Sequence, residues 1–158
     1  MNVAFFHGLE TDTSSDSHKL RIQMLNTMFD TVYVPTINYK TVKFDEILKE
    51  IKDKKIDMLV GSSMGGWYAY CLSTVTGLPT LLFNPALKTR SFEPDVKLGS
   101  KTGHHMIILG EQDDVVPNEE TVDFLSMTNL KHSTKFFYEK NMGHRTPNRI
   151  FFKFLKKL

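Results

Sequence analysis

Met58-Leu59-Val60-Gly61-Ser62-Ser63-Met64-Gly65-Gly66 is the stretch that decides the fold. Three apolar residues suited to a buried strand run straight into Gly-x-Ser-x-Gly. A helix-compatible segment, Gly66-Trp67-Tyr68-Ala69-Tyr70-Cys71-Leu72, follows. The pattern has a mechanical reason. A serine on a very tight strand-to-helix turn sits in strained backbone geometry, and the positions two before and two after it must be small to avoid clashes. Such a turn lifts the Ser63 hydroxyl above the sheet edge and aims the backbone N–H of Met64 at a bound carbonyl oxygen. The five-residue string also arises by chance, and its place between strand and helix is what gives it weight. Ser62 occupies an x position, so Ser63 is the candidate nucleophile.

Outward from this turn, short apolar runs alternate with amphipathic stretches, which predicts a mostly parallel sheet with helices on both faces. Strands are expected at Val3–Phe6, Thr31–Val34, Asp57–Val60, Pro79–Phe83, His104–Leu109 and Thr134–Tyr138. A helix over Lys19–Phe29 is expected to be capped by Ser17, with Leu20, Met24, Leu25 and Met28 on its apolar face. Phe44, Ile47, Leu48 and Ile51 fall at i, i+3, i+4 and i+7 and predict a helix over Phe44–Lys54. Asn118–Met127 reads as a short helix with Asn118 as cap and Glu119 and Glu120 in its first turn. Asn148–Leu158 reads as a closing helix, with Phe151, Phe154, Leu155 and Leu158 on one face and lysines opposite. That face suits docking on a sheet, with a membrane surface as the alternative. Residues 84–102, with Pro85, Pro94 and Gly99, look irregular and long enough to act as a flap over a site.

A serine hydroxyl is a poor nucleophile at neutral pH. It needs a base within hydrogen-bond reach, and the base needs an orienting acid. On a sheet of this kind the acid and then the histidine follow the serine in chain order, each in a loop after a later strand. The sequence has both. Gly110-Glu111-Gln112-Asp113-Asp114 follows one strand, and Asn141-Met142-Gly143-His144 follows the last. Asp113 is preferred as the acid, with its neighbour Asp114 as the competitor. His144 is the base by order and place. The other histidines read differently: His104 and His105 begin a strand, and His18 and His132 lie in polar segments and are expected to be solvated. His7-Gly8 ends the first strand beside the site. There the N–H of Leu9 is expected to join that of Met64 as an oxyanion donor, and each such donor is worth roughly 10²–10³ in rate. Trp67 and Tyr68 are expected either to line an acyl site or to pack on the sheet. Phe83, Pro85, Leu87 and Phe92 are expected to form an apolar wall.

The bulk properties narrow the field. The chain has 158 residues, so one domain over 1–158 is expected. A net charge of +2 is too small to argue for nucleic acid, and Lys52-Asp53-Lys54-Lys55 reads as a solvated face. The single cysteine, Cys71, excludes an internal disulfide, suits a reducing compartment and is expected in the core. The N-terminus reads as a strand and not as a signal peptide, and no apolar run reaches membrane-spanning length. A cytoplasmic location follows as an expectation, with a monomer or homodimer. No histidine pair has metal-ligand spacing, so neither metal nor organic cofactor is expected.

Phe6-His7-Gly8, Gly61-Ser62-Ser63-Met64-Gly65-Gly66, Asn84-Pro85-Ala86, Gly110-Glu111-Gln112-Asp113 and Gly143-His144, in this order, resemble the α/β-hydrolase superfamily. The chain is most similar to small lidless esterases of the YqiA type, the UPF0227 group, over nearly its whole length. The resemblance implies a compact three-layer α/β-hydrolase fold with no separate lid domain. It implies Ser63 as nucleophile, Asp113 as acid, His144 as base, and the amides of Leu9 and Met64 as oxyanion donors. His7, Gly8, Trp67 and Pro85 are the expected substrate contacts. The substrate class implied is a small acyl ester or thioester at an open, shallow site. The loop Leu9–Ser17 is more acidic than the resemblance leads one to expect, and it borders the site. Two other readings stand beside this one: a binding protein on a hydrolase scaffold, and an amidase or acyltransferase using the same residues.

Overall fold

The structure, a computed structural model, describes residues 1–128 and 133–158. Six strands build one sheet: β1 (Asn2–Phe6), β2 (Thr31–Tyr33), β3 (Met58–Ser62), β4 (Thr80–Phe83), β5 (His104–Gly110) and β6 (Ser133–Glu139). Five helices connect them: α1 (Asp16–Met28), α2 (Phe44–Asp53), α3 (Met64–Thr76), α4 (Asn118–Met127) and α5 (Asn148–Leu155). The strand order is β2-β1-β3-β4-β5-β6 and every neighbouring pair is parallel, with Phe6 opposite Gly61 and Ser62 opposite Phe83. The order reverses between β1 and β3. Ligand crevices on open α/β sheets form at such a switch point, outside the carboxyl ends of the strands.

Strand alternation divides the interior into two cores. Ala4, Phe6, Leu59, Leu82, Ile107 and Leu109 face α2, α3 and α4. Val3, Phe5, Val60, Leu81, Phe83 and Ile108 face α1 and α5. Phe83 thus packs on Phe151 at 5.1 Å between ring centroids, while Phe92 borders the opposite core. The expected single apolar wall does not form, because Phe83 ends β4 facing the α1/α5 core, whereas Leu87 and Phe92 follow the strand and pack on the other core. The last helix docks on the sheet through Ile150, Phe151, Phe154 and Leu155, all buried. Burying each large side chain contributes about 1.5–3 kcal/mol, which favours docking over a membrane surface. Cys71 is fully buried in the first core.

Several further expectations need correction. The cap of α1 is Ser15, whose side chain accepts from the His18 N–H, and not Ser17. This start turns His18 and Leu25 inward and leaves Leu20 exposed. His18 is accordingly buried, stacked on Phe5 and edge-on to His7, and burial lowers its pKa. His132 lies outside the described residues. At α4 the cap position is Pro117, with no side-chain cap bond, so Asn118 is the first helical residue. Finally, residues 84–102 form no free flap. The Trp67 indole N–H donates to Glu93, Asp95 accepts from the Phe44 N–H, and Gly99 N–H donates to Thr74. Arg90 ties Ala86 and Leu87 carbonyls to Glu93. The segment is a strap pinned across α2 and α3.

Among the described residues, no helix is long and apolar enough to cross a membrane.

Candidate active site

Ser63 stands between β3 and α3 with φ 52° and ψ −119°. A non-glycine residue there is strained by about 1–3 kcal/mol and persists only because its surroundings over-determine it. The surroundings are visible. Ser63 N–H donates to the Phe83 carbonyl at 3.0 Å, and its own carbonyl accepts from Ala86 N–H at 3.0 Å. The flanking glycines leave no space for anything larger. A Cβ on Gly61 would lie 2.4 Å from the Gly65 carbonyl oxygen, and one on Gly65 would lie 2.2 Å from that of Phe6. Backbone, not a flexible side chain, fills both places. Gly65→Ala is therefore expected to push α3 off β1, to cost about 1–3 kcal/mol in chemical denaturation, and to remove whatever activity Ser63 supports. Parental stability in that variant would contradict the close packing described.

The Ser63 hydroxyl is 2.9 Å from His144 Nε2. His144 Nδ1 is 2.9 Å from Asp113 Oδ2 and 3.1 Å from Oδ1. Three residues from the loops after β3, β5 and β6 thus form one hydrogen-bonded chain. Asp114 is exposed, and it is Asp113 that meets the histidine. The Asp113 side chain is fully buried and that of His144 is 21% exposed. Burial works against the Asp113 charge, but hydrogen bonds from His144 and from the N–H groups of Val116 and Val115 outweigh it. The carboxyl is held below the usual range. An ionised Asp113 in turn calls for the Nδ1–H tautomer of His144, which leaves Nε2 free to accept from Ser63. Ser62 Oγ is buried without a hydrogen-bond partner among the described residues, so the two adjacent serines differ sharply.

Met64 is the first residue of α3, and helix geometry leaves its N–H without an intrahelical partner. Gly8 lies against the serine, since a Cβ on it would be 3.6 Å from Ser63 Cβ. The turn that carries Leu9 is braced from behind. His7 Nε2 accepts from Ile37 N–H at 3.1 Å, and Nδ1–H donates to the Gly8 carbonyl at 2.8 Å. Tyr39 donates its hydroxyl to the His7 carbonyl at 2.6 Å. Both ring nitrogens of His7 are therefore engaged by backbone, and the ring supports the turn from the interior. Asp12, in the acidic loop beyond, is occupied by Ser14 N–H and its hydroxyl.

The other expected contacts sit deeper. Trp67 is buried, with the Arg90 guanidinium 3.9 Å over one face and Tyr70 and Phe124 against it. It takes the packing alternative. Pro85 packs on α3, where a Cβ on Gly66 would meet its Cβ at 2.7 Å. Residues without an assigned role in the sequence reading, Tyr39 and Asn84 above all, brace the loops. Among the described residues, no group of three His, Cys, Asp or Glu side chains is placed to hold a metal. Clefts of about 350 and 230 Å³ open at the opposite edge of the sheet, one beside Lys52, Lys55 and Lys101 and the other beside His104 and Leu158. They take no part in this arrangement.

A family model described as "Uncharacterised protein family (UPF0227)" matches residues 3–106. The chain belongs to this family. The match contains Ser63, Gly8 and Asn84, and it ends before Asp113 and His144. UPF0227 membership fits the fold found by comparison with solved structures. A protein from Xanthomonas campestris pv. campestris, assigned to the alpha/beta hydrolase superfamily, superposes with a TM-score of 0.71 at 15% identity, covering 99% of this chain and 98% of that one. Mouse alpha/beta hydrolase domain-containing protein 10 gives 0.67 at 12% identity, covering 99% and 87%. A Bacillus cereus carboxylesterase gives 0.64 at 14% identity, again over 99% and 87%. At these identities the likeness is one of fold, and the fold is that of the α/β-hydrolases. Among curated proteins, none matches the sequence.

Proposed function

We propose that this UPF0227 chain is a serine hydrolase that cleaves small acyl esters or thioesters through an acyl-enzyme on Ser63. The observation that carries the reading is the unbroken chain from Ser63 Oγ through His144 to Asp113, with 2.9 Å at each step. In this reading Ser63 Oγ attacks the acyl carbonyl while Nε2 of His144 takes its proton. Asp113 keeps the other ring proton on Nδ1 and stabilises the imidazolium that forms. The tetrahedral oxyanion is met by the N–H groups of Met64 and Leu9, at the positive end of α3. Collapse expels the alcohol or thiol, which leaves with the proton from His144. A water then gives its proton to His144 and attacks the acyl-serine, releasing the acid and restoring the hydroxyl.

Support for a small acyl group comes from the surroundings. Residues 84–102 are pinned to the body and are not poised to close over Ser63. Leu9 and Val115, in the loops that carry Gly8 and Asp113, are exposed apolar side chains at the rim. The carboxylesterase from Bacillus cereus shares the fold. The test is a series of p-nitrophenyl esters and acyl thioesters from acetyl to octanoyl, with Ser63→Ala as the blank. Acetyl and butyryl compounds are expected to turn over fastest. Rates that climb steadily to octanoyl would contradict an open, shallow site, and no turnover in any member would contradict the reaction class.

A further inference from the structure

The four strands on one side of the switch point end in a row. Ser63 follows β3, Asn84 follows β4, Gly110 ends β5 with Asp113 three residues on, and His144 lies in the loop after β6. His144 therefore has to reach back across β5 and β4 to meet a serine three strands away. No sheet ladder fixes that reach, because its loop begins where β6 ends.

Asn84 stands in the middle of this span. It is buried, with φ 42°, a backbone region open to glycine and asparagine but costly for most residues. One amide hydrogen goes to the Gly143 carbonyl and the other to the His144 carbonyl, both at 2.9 Å. Its Oδ1 accepts from Gly110 N–H at 2.8 Å. Its own N–H donates to Ile108 O at 2.9 Å, while its neighbours Phe83 and Ala86 hold the two backbone polar groups of Ser63. A single planar group thus ties the loops of Asp113 and His144 together, and the backbone on either side of it holds the turn of Ser63. The loops are also pressed together: a Cβ on Gly110 would lie 2.2 Å from the Met142 carbonyl oxygen.

We infer that Asn84 is the positioning residue of the site, setting where His144 stands relative to Ser63 and Asp113. This rests on the proposal that these three residues act as one reacting set. Only asparagine suits the place. The junction offers two carbonyls and one N–H to a side chain on a left-handed backbone, so it needs two donors and one acceptor at that length. Aspartate matches the shape but brings an oxygen to face the two carbonyls. Glycine tolerates the backbone but leaves all three groups without the amide.

The test uses Asn84→Gly and Asn84→Asp in the full chain, with Ser63→Ala in parallel. Asn84→Gly keeps the backbone conformation, so a native circular dichroism spectrum is expected. Its kcat on p-nitrophenyl butyrate is expected to fall by about 10², the order of loss that a displacement of about 1 Å causes, with KM little changed. Fluorophosphonate labelling of Ser63 is expected to slow by a similar factor. Asn84→Asp is expected to lose kcat in the same way and carries the test if the glycine variant does not fold. A folded variant with parental kcat would overturn the inference, and so would a loss confined to KM, which marks substrate contact. If Ser63→Ala itself keeps parental turnover, the reading of the reacting set fails instead, and the two failures are distinct.

Discussion

Ser63→Ala is expected to lower kcat for p-nitrophenyl butyrate by about 10⁴–10⁶ with the fold intact, since losing the nucleophile costs about as much as losing the whole set. Ser63 belongs to neither core and its hydroxyl bonds His144, so its loss is not expected to open a cavity in the packing. The backbone strain stays, because alanine at φ 52° is no more comfortable than serine. Ser63→Gly should therefore melt above Ser63→Ala, as glycine adopts that conformation without penalty. Rates measured beside circular dichroism and thermal melting check all of this. A folded Ser63→Ala that still turns over at the parental rate would remove the nucleophile from the account.

Asp113→Asn is expected to lower kcat by about 10⁴, and the structure gives the reason. Asp113 Oδ1 accepts from the N–H groups of Val115 and Val116, each at 2.9 Å. In the variant those two donors keep the amide oxygen at that place, so the NH₂ group takes the position of Oδ2. It then donates to Nδ1 of His144 and drives the ring proton to Nε2. A histidine with that tautomer presents a donor to Ser63 and is unable to take its proton. The variant keeps every neighbour and nearly the same volume, so its loss reads chemistry and not folding. It should also change the response to acid. The depressed Asp113 pKa contributes stability above the ordinary carboxylate range, and that stability is lost as pH falls through the folded value. Asp113→Asn lacks this contribution, so its stability should fall less steeply on acidification. Equal turnover in parent and variant would contradict the assigned tautomer.

Much of the fold was legible because its signals are local. The Met58–Gly66 stretch carries its own explanation: an apolar strand, then small residues where backbone crosses backbone. The helix at Phe44 follows from spacing alone, and Asp113 and His144 follow from chain order after successive strands. What escaped depends on partners distant in sequence. Ser14, Ser15 and Ser17 sit in one polar run, and any of them suits a cap. The contacts of His18 with Phe5 and His7 settle the start of the helix and bury the histidine that its polar neighbours advertise as solvated. Prolines and a glycine in 84–102 read the same for a flap and for a pinned strap, and the pins, on Trp67, Thr74 and the Phe44 N–H, come from other elements. Asn84 precedes a proline, which argues for an extended break and hides its left-handed conformation. The three hydrogen-bond partners of its side chain lie 26 to 60 residues away.

The most direct measurement is the mass of the protein after exposure to a fluorophosphonate, followed by mapping of the modified peptide. The account predicts a single adduct on Ser63, absent in Ser63→Ala and formed far more slowly in Asp113→Asn. A folded chain that hydrolyses esters yet carries no adduct, or carries it on another residue, would contradict the account.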